Sequence, residues 1–268
     1  MSVVSGTSFP LRGTALVTGA SAGLGAQFAD FLARSGMDLL LTARRKETLD
    51  AQAKRLRERH GRRVSVLPAD LTAAAARIRL LKEVDDLGTP ISVLVNNAGF
   101  GSAGRFVEHD TDRVTREVEL NCVAPTHLAR HLLPGMLERG YGAVVNVASA
   151  AAYQPIPSMA VYAATKSYLL SLSQALWSET AGTGVRVVAV CPGPTDTDFF
   201  VNTGEPDAMT WRRTPEQVVQ STFRALYRNQ PSVVDGGANA VLAKLSQMLP
   251  VRIVLPISKL YAQPRRRR

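Results

Sequence analysis

Tyr162 and Lys166 stand four residues apart, so a helix through them carries both side chains on one face. A tyrosine by itself is a poor acid or base, with a free pKa near 10. An ammonium alongside favours the phenolate, so the pair makes chemical sense as a proton donor with its tuner. A second constellation lies far upstream, where Thr18-Gly19-Ala20-Ser21-Ala22-Gly23-Leu24-Gly25 follows an apolar run and opens a helix-length stretch. Glycines let the backbone approach a pyrophosphate, and a helix starting there offers unpaired N–H donors at its positive end. Other polar groups carry less. His127 and His131 have i,i+4 spacing without a third ligand, so no metal is expected and they read as helix-surface or interface residues. Cys122 and Cys191 sit in apolar runs and read as core residues. Ser149, in Val147-Ala148-Ser149-Ala150-Ala151, lacks the flanking glycines of a hydrolase nucleophile elbow.

The elements that must position these groups are visible as an alternation. Apolar runs fall at Thr14–Thr18, Asp38–Thr42, Val64–Leu67, Ile91–Val95, Ala143–Val147 and Val185–Val190. Continuous apolar character fits strands buried on both faces of a parallel sheet. Amphipathic stretches between them predict helices at Leu24–Arg34, Lys46–Arg59, Ala73–Leu87, Thr111–Glu138 and Tyr162–Thr180. Gly36 and Gly61 stand where helix ends need a left-handed residue. The regular alternation predicts an α/β fold, a doubly wound, mostly parallel Rossmann-type sheet with helices on both faces. Such sheets bind ligands at the carboxyl ends of their strands. At 268 residues the chain fits one domain with a substantial core.

In their order along the chain the motifs resemble those of the short-chain dehydrogenase/reductase family. The resemblance rests on the Thr-Gly-xxx-Gly-x-Gly turn, Asn96-Asn97-Ala98-Gly99 ending the fourth strand, Ser149 placed 13 residues before Tyr162, Tyr162-x-x-x-Lys166, and Pro192-Gly193 after the sixth strand. It covers about residues 10 to 230. It implies that Tyr162 protonates a carbonyl oxygen while hydride arrives from a nicotinamide, the reverse being alcohol oxidation. Lys166 would hold the nicotinamide ribose, and Ser149 would hydrogen-bond the substrate oxygen. Asn121, in Glu119-Leu120-Asn121, would support a water-mediated proton path behind the lysine. Asn97 would mainly bind backbone between strands, and Asn97, Ala98 and Gly99 would also border the cofactor. Thr195 and Thr197 match positions that bind the nicotinamide amide and cofactor phosphates. Asp70-Leu71 resembles the pair that contacts adenine, with a helix N-cap by Asp70 as the plainer alternative.

The second predicted strand, through Leu39 to Ala43, ends in Arg44-Arg45-Lys46 with no acid. A carboxylate there would accept from a ribose 2′-hydroxyl and repel a 2′-phosphate, whereas arginine pairs with phosphate. NADP(H) is therefore favoured over NAD(H). The net charge of +10 comes partly from Arg265–Arg268 and from Arg55, Arg57, Arg59, Arg62 and Arg63, which read as a terminal run and a solvated face. No nucleic-acid motif accompanies this charge. Two cysteines suggest no disulfide framework, and Met1 to Gly13 lacks the pattern of a signal peptide, so a cytoplasmic setting is expected.

Residues 195–214 are expected to form a substrate lid, with Phe199, Phe200, Met209 and Trp211 able to close over an apolar substrate. Residues 238–268 extend beyond a last strand near Pro231–Gly237. Val241, Leu242, Leu245, Met248 and Leu249 follow helical spacing there until Pro250 and Pro256 interrupt it, which predicts an apolar flap beside the cleft or a partner subunit. A membrane-surface contact through the tail is the less favoured alternative. The expected activity is hydride transfer between NADP(H) and a hydrophobic ketone, 3-oxoacyl group or secondary alcohol, by a homo-oligomer, dimer or tetramer. NAD-dependent alcohol oxidation and a non-catalytic cofactor-binding regulator are the alternatives.

Overall fold

Apolar runs at β1 (Thr14–Thr18), β2 (Asp38–Thr42), β3 (Val64–Val66), β4 (Ile91–Asn96), β5 (Gly142–Val147), β6 (Val185–Cys191) and β7 (Ser232–Val234) pair as one parallel sheet of order β3-β2-β1-β4-β5-β6-β7. The structure is a computed structural model and describes residues 9–197 and 212–262, side chains to residue 259. Alternate strand residues face opposite cores. Val17, Leu39, Leu41, Val93 and Val145 pack with Phe28 and Leu32 of α1 (Gly23–Arg34), Leu49 and Leu56 of α2 (Lys46–His60) and Phe223. Leu16, Leu40, Leu94 and Val144 pack on the other side with Leu80 of α3 (Ala74–Asp86), and with Leu128 and Met136. Both faces are thus dry, which is why the strands read as unbroken apolar runs.

Chain order reverses between β1 and β4, so the crevice at their carboxyl ends is the natural ligand position. Gly61 closes α2 in the left-handed region at φ 63°. Asp110 caps α4 (Thr111–Val118), its Oδ1 accepting from Arg113 N at 2.9 Å. The predicted helix Thr111–Glu138 is interrupted. A π turn at Glu119–Val123 separates α4 from α5 (Ala124–Glu138), adding a residue to the turn around Asn121. Apolar periodicity does not register one extra residue when both flanking segments remain helical.

Beyond α6 (Ala160–Glu179) and β6, a capping box of Thr214 and Gln217 starts α7 (Pro215–Tyr227), which carries Phe223 into the first core. Two further helices follow β7, α8 (Gly237–Met248) and α9 (Val251–Ala262). Pro250 separates them, but Pro256 lies inside α9 without ending it, contrary to the interruption expected there. A proline there removes one backbone donor, and the helix continues with Val254 and Ser258 buried around it. Asp70 does not cap α3, whose N-cap is Ala73; its Oδ1 instead accepts from Thr72 N and Thr72 Oγ1. Cys191 is buried but Cys122 only half so. His131 sits on the surface of α5, 3.0 Å from Asp85. The arginines at the end of α2 are exposed, as a solvated face implies, and two of them also find acids: Arg59 meets Asp30 at 3.2 Å, and Arg63 donates through Nε to Asp38 at 2.9 Å.

The lid residues Phe199, Phe200, Met209 and Trp211 lie outside the described residues, but the two ends of that segment are tied together. Thr195 bridges to Arg213, and Arg213 N donates to Pro194 O at 2.9 Å. Arg213 then grips the fully buried Asp235 through Nε (2.7 Å) and Nη2 (3.0 Å), and Ser221 donates to the same carboxylate at 2.6 Å. Removing the carboxylate leaves the guanidinium and hydroxyl without their acceptor. Asp235→Ala should therefore lower unfolding free energy by on the order of 3 kcal/mol, read as a shifted denaturation midpoint. An unmoved midpoint would show the clamp to be dispensable.

Candidate active site

The glycine turn after β1 is shaped by what crowds it. Gly19 and Gly23 have φ of 65° and 55°, which other residues rarely adopt. A Cβ on Gly25 would stand 2.1 Å from Gly19 O, so α1 could not begin so close to the turn with any larger residue. Ala22, the N-cap of α1, gives no side-chain hydrogen bond to the first-turn amides, and the first turn holds no acid. These donors, with the positive helix end, fit a diphosphate.

Asn97 fixes this turn from β4. Its Nδ2 donates to Thr18 O at 2.9 Å and Gly19 O at 3.3 Å. Asn97 N and Ala98 N both donate to Thr18 Oγ1 at 2.9 Å, and that hydroxyl donates to Val95 O at 3.2 Å. Thr197 reaches the turn from the other side, within 3.2 Å of a Cβ built on Gly23. Ser21 and Leu24 lie within the turn, half-buried. Ala20 N donates to Thr42 O, and Ala69 N to Ala43 O, so the ends of β1, β2 and β3 are linked edge to edge. Arg44 and Arg45 follow directly from Ala43 and are exposed. Asp70 is exposed beside Ala69, whereas Leu71 is buried in the core with Leu16 and Leu94.

The second half of the site is built on β5 and α6. Ala148 N donates to Val190 O and Ala150 N to Pro192 O, both at 2.8 Å, fixing Ser149 at the strand end next to Pro192-Gly193. Gly193 admits Asn239, whose amide lies 2.1 Å from where a Cβ would sit. The Ser149 hydroxyl hydrogen-bonds the Tyr162 phenol. Lys166 is buried one turn along α6, with Nζ 5.6 Å from the Tyr162 ring centre and donating to Val147 O at 2.8 Å. A side chain on Gly99 would meet that ammonium at 3.3 Å and Asn121 Oδ1 at 3.0 Å. Asn121, turned inward by the π turn, donates through Nδ2 to Phe100 O (2.8 Å) and Thr165 Oγ1 (3.0 Å), and Thr165 donates to Tyr162 O at 2.8 Å. The loop after β4, the π turn and α6 are therefore one hydrogen-bonded unit.

Burial dominates the electrostatics. It pushes Tyr162 up to about 12, against the Ser149 hydrogen bond, and it draws Lys166 down to about 8. The expectation that the lysine would favour a phenolate is thus outweighed by desolvation within the protein alone. A phenol held protonated suits a proton donor.

Glu117 escaped the sequence reading. It is fully buried on α4, one turn before Asn121, with the Ser102 hydroxyl beside its carboxyl group and no ion pair among the described residues. Burial raises its pKa against the opposing pull of Ser102, Arg113, His109 and Lys166. In the sequence it sits in Arg116-Glu117-Val118-Glu119, which reads as an exposed charged stretch. A cavity of about 480 Å³ lies on a different side of α6, lined by Ala152, Tyr153, Pro155, Ile156, Ala164 and Leu255, and does not include Tyr162.

Because folding raises the pKa of Glu117, the folded chain keeps a proton that the unfolded chain releases. Stability is full below the ordinary glutamate range and falls as pH rises through the folded-state value. Glu117→Gln cannot ionise, so its thermal midpoint relative to the native chain should climb from acidic to neutral pH. Parallel pH profiles for the two proteins would contradict this.

Comparison with known proteins gives a consistent picture. A family model described as short chain dehydrogenase matches residues 13–208. The ketoacyl reductase HetN of Nostoc sp. is 31% identical over 248 residues, spanning 91% of this chain and 86% of that protein. A short-chain dehydrogenase from Sphingobium yanoikuyae, solved in complex with NADPH, is 33% identical with a TM-score of 0.80, covering 88% of this chain and 94% of its own. The bulky-bulky ketone specific alcohol dehydrogenase from Comamonas testosteroni is 32% identical with a TM-score of 0.77, covering 88% and 91% respectively.

Proposed function

The chain belongs to the short-chain dehydrogenase/reductase family of oxidoreductases, and on that premise we propose that it transfers hydride between NADP(H) and a hydrophobic ketone, 3-oxoacyl group or secondary alcohol. The observation that carries this reading is the Tyr162 phenol, kept protonated by burial, hydrogen-bonded to Ser149 and backed by Lys166. Ser149 orients the substrate oxygen. Tyr162 donates its proton to that oxygen during reduction and takes one back during oxidation. Lys166 keeps positive charge beside the phenolate formed and holds the ribose hydroxyls. Asn121 holds the loop after β4 against α6, so the lysine's surroundings stay fixed and a proton path behind it can be ordered.

When bound, the nicotinamide supplies or accepts the hydride. The residues present fit such a group. Gly19, Ser21, Gly23, Leu24 and Gly25 would cradle the diphosphate, and Arg44 and Arg45 the 2′-phosphate. Asp70 and the Leu71 backbone would border the adenine, Asn97, Ala98 and Gly99 the adjoining ribose, and Pro192, Gly193, Thr195 and Thr197 the amide and phosphates. The preference for NADP(H) is supported by two exposed arginines at the end of β2 with no acid at that position. The NADPH complex of the Sphingobium relative supports the same preference, and the ketone and ketoacyl activities named for the relatives support the substrate class.

A panel of bulky ketones and 3-oxoacyl thioesters, scored by NADPH absorbance, tests the proposal; tight NADPH binding without turnover of any member would count against it. Tyr162→Phe should fold and bind NADPH yet lose at least about 10²-fold in turnover. Turnover close to that of the native chain would move the chemistry to another residue. Arg44→Ala should weaken NADPH binding by about 1.5–3 kcal/mol, the range for a charge-assisted hydrogen bond, and leave NADH binding nearly unchanged. Equal affinity of the native chain for both cofactors would defeat the assignment.

A further inference from the structure

Beyond Asp235 the sequence holds Lys244, Arg252, Lys259 and Arg265–Arg268, seven of the chain's 32 lysines and arginines, and none of its 22 acids. The described part of this region is α8 and α9, and each helix has two unlike sides. Their inner sides are docked. Ala243, Val254 and Ser258 are buried, Ser246 donates to Tyr153 O at 3.3 Å, and Ser258 donates to Pro155 O at 3.0 Å. Apolar residues also face outward. On α8, Val241, Leu242, Leu245 and Met248 fall along one side at about 100° per residue, and Met248 is 71% exposed. On α9, Ile253 and Ile257 stand four apart, each about half exposed. Lys244, Arg252 and Lys259 are exposed among them, and none makes an ion pair among the described residues.

We propose that α8 and α9 form a peripheral docking surface for an anionic lipid bilayer, with the apolar side chains entering the headgroup boundary and the lysines and arginines meeting lipid phosphates. Each helix has 12 residues, well short of the roughly 20 needed to span a bilayer, and no helix among the described residues is long and apolar enough to cross one. Such helices lie in the interface. Charge selects the occupant. A second copy of the chain placed on this face in a two-fold dimer would bring like charges together. An anionic bilayer offers apolar and phosphate chemistry in one surface and requires no shape match. The position also has a use. Leu255, on α9, lines the apolar cavity of about 480 Å³ between α6 and residues 152–157. Docking through α8 and α9 would set that cavity near the bilayer boundary, where oily molecules concentrate.

The test is co-sedimentation of the full chain with vesicles of phosphatidylcholine alone and of equimolar phosphatidylcholine and phosphatidylglycerol. Binding to the anionic vesicles only, weakening as salt rises, is expected. Leu242→Gln/Leu245→Gln/Met248→Gln should reduce that binding at least about tenfold, and Lys244→Gln/Arg252→Gln/Lys259→Gln should reduce it by about fivefold per charge. All six positions are exposed, and unchanged thermal midpoints will show that the variants fold. Failure to sediment with anionic vesicles overturns the proposal, as does undiminished binding by either folded variant. Analytical ultracentrifugation provides the remaining arm: a native dimer that the apolar variant converts to monomer would assign the face to a subunit contact and overturn the lipid reading.

Discussion

The centre of the molecule depends on a clasp between two strands that are distant in sequence. β1 and β4 lie side by side, and at their carboxyl ends Asn97 donates to Thr18 through both its side chain and its backbone N–H, joined by Ala98 N. The Asn97 amide fills the space beside Gly19, and together with the Gly19 carbonyl it leaves Gly25 no room for a Cβ. Because the clasp satisfies Thr18 and Gly19 with a neutral amide, the first amides of α1 keep their donors for an anion. The same loop then leads into Gly99 and Phe100, which contact Asn121 and thereby α6. A single junction thus sets the spacing between the diphosphate cradle and the tyrosine helix.

Buried ionisable groups divide sharply according to where they lie. Asp235 receives two bonds from Arg213 and one from Ser221, and Arg77 meets Glu119 at 2.9 Å while donating to Leu71 O and Thr72 O. Those charges are compensated and act as fasteners. Around the site the compensation is thinner. Lys166 donates to a single carbonyl, and Glu117 has the Ser102 hydroxyl beside it but no ion pair among the described residues. Incomplete solvation by the protein moves Lys166 down to about 8 and raises Glu117, leaving both poised to respond to any charge that arrives nearby.

Much of this was legible in the sequence because buried parallel strands leave an unmistakable signature. β1 and β2 begin and end at Thr14–Thr18 and Asp38–Thr42, as the apolar runs indicate, and the glycine turn announces close backbone approach. The features that escaped detection depend on facing relations. The π turn at Glu119–Val123 changes which side Asn121 presents without altering helical character on either side. Glu117 looks like one charge among several until α4 packs against α6 and takes it out of water. Pro256 reads as a helix breaker, yet α9 continues through it, with Val254 buried and Ser258 donating to Pro155 O on either side of the proline. The arginines at the end of α2 are exposed, as the charge run indicates, but the acids that two of them meet, Asp30 and Asp38, are far from them in sequence and near only in space.

Strand order also governs how the chain can be made. A nascent polypeptide that has reached only β3 can pair β3, β2 and β1, yet the second edge of β1 awaits β4, and Thr18 awaits a residue 79 positions later. Until then β1 presents a flat, apolar, hydrogen-bonding edge of the kind that recruits other chains. Pairings of such long range close slowly. The partly emerged protein is thus open to aggregation until β4 arrives, and the interval between β3 and β4 is one in which a chaperone has an edge to protect.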